Sequence, residues 1–237
     1  MKNLAVRNTE KEILDNLSCF GEPVRQNLKE LDIINTVLGG NSVSSDALKK
    51  VVARSAQNSW KIADIGCGSG QLMREMNNAL AQKKCTGIFT GFDANPFIVD
   101  YANDHCKAEE NIAIKTLDVI SDAFPEHYDI VHASLFLHHF TEKELIILLK
   151  KISAHTNKAI IINDLHRHPL AYYSIKLLTN LFSKSHMVKH DAALSVAKGF
   201  TQKEWRAIFV KAGFTTWTMK WVWAFRHQII LYPIAKT

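Results

Sequence analysis

Three glycines at alternate positions, Gly66, Gly68 and Gly70, close the ten-residue stretch 61–70, Lys-Ile-Ala-Asp-Ile-Gly-Cys-Gly-Ser-Gly. A short buried strand running into such a turn brings bare backbone close to a nucleotide, because glycine takes left-handed conformations at no steric cost. A dinucleotide fingerprint reads Gly-x-Gly-x-x-Gly; here the third glycine falls one place early and Gln71 holds the fingerprint position. Asp64, two places before the first glycine, would repel a pyrophosphate but suits a ligand carrying an ammonium and a sulfonium. Two more acids end later apolar runs, Asp93 after residues 86–92 and Asp118 after residues 112–117. Asp93 stands at about the interval where a ribose acquires its carboxylate partner. Carboxylates at the carboxyl ends of consecutive parallel strands lie where open α/β sheets bind ligands.

The chain has 11 histidines, and four of them follow strand-like runs on the same sheet edge. His138 and His139 come after the fourth run, residues 128–133, and His166 and His168 come after the fifth, residues 159–163. A histidine there can act as a general base, since its ordinary pKa lies near working pH. His138, His139 and His166 are therefore the candidate bases, with His139 favoured, then His166. No carboxylate and histidine set at a metal-ligand spacing completes a site, so no metal is expected.

The elements that must position these groups are legible as alternating strands and helices. Residues 71–82 read as the helix after the glycine turn. Residues 10–17, 24–38 and 45–56 read as N-terminal helices; Leu28, Leu31, Ile34 and Leu38 fall at helical spacing and Gly39-Gly40 supplies a stop. Two later helices open on capping boxes, Thr141 to Glu144 and Thr201 to Glu204, and the second ends at Gly213. Residues 214–222 and 227–232 read as a terminal strand pair. Pro169 starts a helix reaching about residue 182, whose Leu170, Tyr173, Leu177 and Leu181 form one apolar stripe, widened by Leu178 and Phe182. That stripe fits packing on the core or a substrate wall.

The glycine spacing with Asp64, Asp93 and Asp118 in register resembles motif I and the following strands of the class I S-adenosylmethionine-dependent methyltransferases, most strongly over residues 61–140. The resemblance implies a Rossmann-like α/β three-layer sandwich with a seven-stranded, mostly parallel sheet and an antiparallel seventh strand. It implies S-adenosylmethionine as cofactor, with Asp93 holding both ribose hydroxyls and Asp118 accepting from the adenine amino group. Asp64, Gly66, Gly68, Gly70, Ala94, Val119 and Ser134 complete the cofactor set. One domain is expected: a helical extension at 1–56, a cofactor-binding core at 57–163, a cap insertion at 164–200, and a final helix and strand pair at 201–237. The chain as a whole resembles small bacterial enzymes of the ubiquinone/menaquinone type and those acting on polyketide or phenolic products. This implies methyl transfer to an oxygen of a small, hydrophobic, acidic or phenolic aromatic acceptor. Carbon methylation of a quinol-like ring, or a catalytically silent accessory role, are the alternatives.

Composition is compatible. At 237 residues and 47% hydrophobic, the chain can bury one sizeable core. It has no bilayer-length apolar run and no charged-then-apolar leader, so a soluble cytoplasmic protein, monomer or homodimer, is expected. Four scattered cysteines without a Cys-x-x-Cys pair read as reduced thiols. The net charge of +6 is uneven: residues 161–237 carry 11 Lys and Arg against 3 Asp and Glu, whereas residues 61–160 carry 10 against 13. A basic last third fits a membrane surface, an acidic substrate or a solvated face, the last for scattered lysines such as Lys198, Lys203 and Lys211. Nucleic acid is disfavoured, because no dense basic run is interleaved with aromatics.

Overall fold

The computed structural model describes residues 3–234. In chain order the elements are α1 (Glu22–Val37), α2 (Gly40–Val52), β1 (Ser59–Ile65), α3 (Gln71–Ala81), β2 (Thr86–Asp93), α4 (Pro96–His105), β3 (Ile112–Thr116), β4 (Tyr128–Ser134), α5 (Glu142–Ala154), β5 (Thr156–Leu165), α6 (Pro169–Phe182), α7 (His186–Lys198), α8 (Gln202–Ala212), β6 (Trp217–Val222) and β7 (Arg226–Leu231). The seven strands form one sheet in the order β3-β2-β1-β4-β5-β7-β6. β1 to β5 are parallel, and β7 runs antiparallel to both neighbours. The order reverses between β1 and β4, and the crevice outside their carboxyl ends is the switch point where such sheets take ligands.

Period-2 alternation builds the three layers. Along β5, Ile160 and Ile162 join the core under α5 and α8, while Ala159 and Ile161 join the opposite core under α2 and α3. Both faces are buried, so the central strands read as continuous apolar runs rather than alternating ones. Both capping boxes form: the Thr141 and Thr201 hydroxyls accept the Glu144 and Glu204 N–H groups, and each glutamate accepts the N–H of its threonine. Gly213 ends α8 in the left-handed conformation at φ 90°.

Three expectations about local structure are corrected. Residues 10–17 make only a single 3-10 turn, Ile13–Asp15, because Asp191 takes the Ile13 and Leu14 N–H groups and the acidic side chains are drawn into tertiary pairs. The second N-terminal helix starts at Gly40, five residues early; Gly39 turns the chain at φ 71°, and a Cβ on Gly40 would lie 2.7 Å from the Arg226 guanidinium. On α6 the inward residues are the small Ala171 and Thr179, and the stripe of Leu170, Leu177 and Leu181 faces outward rather than into the core.

Candidate functional site

A cleft of about 340 Å³ opens at the carboxyl ends of β1, β2 and β4, roofed by α1. The turn after β1 is anchored by the Gly66 and Cys67 N–H groups, both donating to the Phe92 carbonyl at 2.8 and 3.0 Å. Its three glycines differ in what they permit. A Cβ on Gly66 would fall 2.2 Å from the Phe136 ring and one on Gly70 2.6 Å from Cys106 Sγ, so those positions need glycine for packing. Gly68, at φ 54°, has nothing nearer than Leu28 at 3.8 Å. Its missing side chain leaves room in the cleft itself.

Carboxylates stand at both ends of this turn. Asp93 Oδ1 accepts from Asn95 N–H at 3.0 Å and Oδ2 from Gly68 N–H at 3.3 Å. Burial pushes its pKa up to about 6 against those bonds, with the Asp64 charge adding to the rise. Asp64 is buried and held by His132 Nδ1 at 2.6 Å, whose Nε2 meets the Ser44 hydroxyl at 2.9 Å. Asp118 and Val119 line the cleft beside Leu117, and Asp118 accepts the Ile120 N–H at 2.9 Å. Ala94, Ser134 and all the other expected cofactor residues except Gly70 are on the cleft wall. Leu135, between Ser134 and Phe136, is held at φ 51°, a conformation unusual for leucine that aims its neighbours into the cleft.

Of the three candidate bases, only His139 lines the cleft. Its Nδ1 meets Asp15 Oδ1 at 2.5 Å, which holds the proton on Nδ1 and leaves Nε2 with a 3.8 Å contact to Glu12. His138 is placed behind it, fully buried, with Nδ1 on Asp164 at 2.7 Å and Nε2 facing Glu12 Oε1 at 3.5 Å without a hydrogen bond. Burial alone would lower the His138 pKa, yet Asp164 and Glu12 raise it to about 9, so it carries a positive charge at neutral pH. His166 lies off the cleft, its ring 4.9 Å from His227. Burial and the neighbouring His227, His168 and Arg167 lower its pKa to about 4.

Several groups that the sequence reading passed over complete the site. Glu12, Asp15 and Lys198 meet across the fold: Lys198 Nζ lies 3.1 Å from Glu12 and 3.3 Å from Asp15. Lys198 is thus a buried ion-pair partner and not a solvated lysine. Burial works against the Glu12 charge, but His138, His139 and Lys198 hold its pKa down to about 2. Glu12, His138 and His139 offer ligand atoms within 4.8 Å of one another, a set that sequence spacing alone did not reveal. The Lys198 ammonium already supplies the cation there and would oppose a dication. Arg7 pins the segment by donating to the carbonyls of Lys198 (2.6 Å), Phe140 (2.9 Å) and His138. Asp32 of α1 accepts from Ser69 Oγ at 2.8 Å on the cleft wall.

The arrangement fits S-adenosylmethionine: open space over Gly68, a carboxylate at the end of β2 for a diol, an acid after β3 for an amino group, and an apolar wall from Leu117 and Val119. Comparison with known proteins agrees. Residues 62–159 match the family model described as a methyltransferase domain. A curated relative, 8-hydroxyquercetin 8-O-methyltransferase of Mentha piperita, is 25% identical over 180 residues, covering 73% of this chain and 44% of that enzyme. The solved structure of human N-acetylserotonin methyltransferase in complex with S-adenosylmethionine has a TM-score of 0.62 at 22% identity, covering 90% of this chain and 57% of that one. That of the plantazolicin methyltransferase with S-adenosylhomocysteine has a TM-score of 0.65 at 16% identity, covering 90% and 89%. The chain therefore spans about half the length of the Mentha and human enzymes it matches. Residues 62–159 thus match a methyltransferase domain, and the chain shares the fold of these two solved methyltransferases.

Proposed function

We propose that this chain is an S-adenosylmethionine-dependent methyltransferase acting on an oxygen of a small, apolar, aromatic acceptor. The observation that carries this is one cleft lined both by the glycine turn and Asp93 and by His139 with Leu14, Leu17, Phe136 and Phe140. The O-methyltransferase named among its relatives supports an oxygen acceptor. When bound, the cofactor supplies a methyl group on a positively charged sulfur. The residues supply alignment and a water-poor site. Asp93 accepts from two ribose hydroxyls, Asp118 from the adenine amino group, and Asp64, oriented by His132, faces the amino acid end. His139 takes the acceptor hydroxyl proton on Nε2, with Asp15 steadying the imidazolium that forms.

His138, charged between Asp164 and Glu12 and set behind His139, has no free nitrogen for that proton and acts on the site through its charge.

Incubation with methyl-labelled cofactor and a panel of phenols, quinols and aromatic carboxylic acids tests the function. Label is expected on a phenolic or carboxylic oxygen. Label on a ring carbon would establish carbon methylation instead, and no transfer with cofactor still bound would favour an accessory role.

The raised pKa of Asp93 gives an expected pH dependence. Ribose hydroxyls need the ionised carboxylate as acceptor, so protonation competes with binding. Cofactor affinity is expected to be flat above about pH 6 and to fall by up to about tenfold per unit below it. Asp93→Asn should be weaker throughout and lose that slope, as calorimetry at several pH values would show.

A further inference from the structure

On α6 the ordinary arrangement of an amphipathic helix is inverted. Leu170, Leu177, Leu181 and Phe182 are 63, 60, 65 and 79% exposed, whereas the buried residues are Ala171 and Thr179. A surface helix normally turns its apolar stripe to the core. Here α6 packs on α7 while these leucines stay outside the contact. The exposed face extends into the β6–β7 hairpin, where Trp221 is 45% and Trp223 66% exposed. The hairpin residue Phe225 stacks on His168 with ring centroids 5.1 Å apart, and His168 caps α6 by accepting the Leu170 N–H at 3.2 Å. Helix and hairpin thus meet at this stack, and together they expose more large apolar side chains than scattered surface leucines account for.

The charge around this patch selects its occupant. Residues 161–237 hold three acids, and each is turned inward: Asp164 onto His138, Asp191 onto the N–H groups of Ile13 and Leu14, and Glu204 onto Arg167 and Thr201. Lys176 and Lys184 are exposed on and just after α6, and Lys189 is half-buried. From other elements, Glu10 shares a recess with Lys176 and Lys189, and Glu30 accepts from the Ser183 hydroxyl and the Lys184 and Ser185 N–H groups. A second copy docked face to face would set this basic rim against itself. An anionic lipid surface supplies the opposite charge, receives leucines and phenylalanine into its acyl boundary, and favours tryptophan at headgroup level. At 14 residues α6 is about 21 Å long, suited to lying in an interface. Among the described residues no helix is long and apolar enough to cross a membrane.

We propose that the outer face of α6 with the Trp221–Trp223 hairpin docks this protein on an anionic membrane surface. None of the patch residues lines the cleft, so docking stands apart from the catalytic reading.

Flotation of the full chain with vesicles of neutral phosphatidylcholine, alone or mixed with anionic phosphatidylglycerol, tests the proposal without any activity readout. The protein is expected to float with the anionic vesicles at low salt and to be released at high salt. Lys176→Gln and Lys184→Gln should each lower partitioning by about fivefold. Leu177→Ser with Leu181→Ser should abolish flotation while leaving the thermal melt unchanged, since both side chains lie outside the core. The proposal is overturned if the wild type does not float with anionic vesicles, or if the leucine double variant floats equally well. It is also overturned if the same leucines hold together a dimer in sedimentation and flotation is absent.

Discussion

His139→Gln is expected to lower kcat by about 100-fold or more while leaving S-adenosylhomocysteine affinity nearly unchanged. Glutamine can keep a hydrogen bond to Asp15, which His139 Nδ1 meets at 2.5 Å, so the wall of the cleft stays in place. What is lost is the Nε2 proposed to accept the hydroxyl proton. His139 meets the cofactor turn through Phe136, whose ring lies 6.3 Å from its own and covers Gly66, so the loss should fall mainly on turnover. His138→Gln gives the discriminating comparison. If His138→Gln shows the larger kcat loss and His139→Gln is near normal, His139 is not the base and the charge of the Asp164–His138 pair carries the effect. Near-normal turnover in both would mean that the acceptor ionises unaided and that alignment carries the rate.

Local backbone chemistry was readable and long-range pairing was not. Gly66, Gly68 and Gly70 were legible because a strand-to-helix turn needs positive φ at those places, and all three have it. Asp93 and Asp118 were legible because residues at strand ends inherit their position from the sheet. Which glycine leaves space for a ligand depends on Phe136 and Cys106, distant in sequence, so only the folded chain distinguishes Gly68 from its neighbours. Lys198 pairs with Asp15 across 183 residues, and no periodicity encodes such a pair. A readable trace of the Asp64 network is His132, a polar ring between the apolar Val131 and Ala133 of β4. For α6 the spacing showed a stripe but not its direction, since a helix-period pattern records amphipathicity and says nothing of which side meets the protein.

Gly68→Val is expected to remove cofactor binding from a protein that still folds. The valine must take φ 54°, which costs a branched residue roughly 1–2 kcal/mol, and its methyl groups enter the open space above the turn. The same change at Gly66 would instead drive into Phe136 and threaten the fold. Because Gly68 has no packing neighbour closer than 3.8 Å, its substitution separates obstruction of the ligand from damage to the core. Gly68→Ala shares the backbone cost with a smaller side chain and should lie between. Calorimetric titration of S-adenosylhomocysteine into wild type and Gly68→Val tests the central claim most directly. One-to-one binding to the wild type, weakened at least about 100-fold in a folded Gly68→Val, is the predicted result. Unchanged affinity in the folded variant would contradict the assignment of this cleft as the cofactor site.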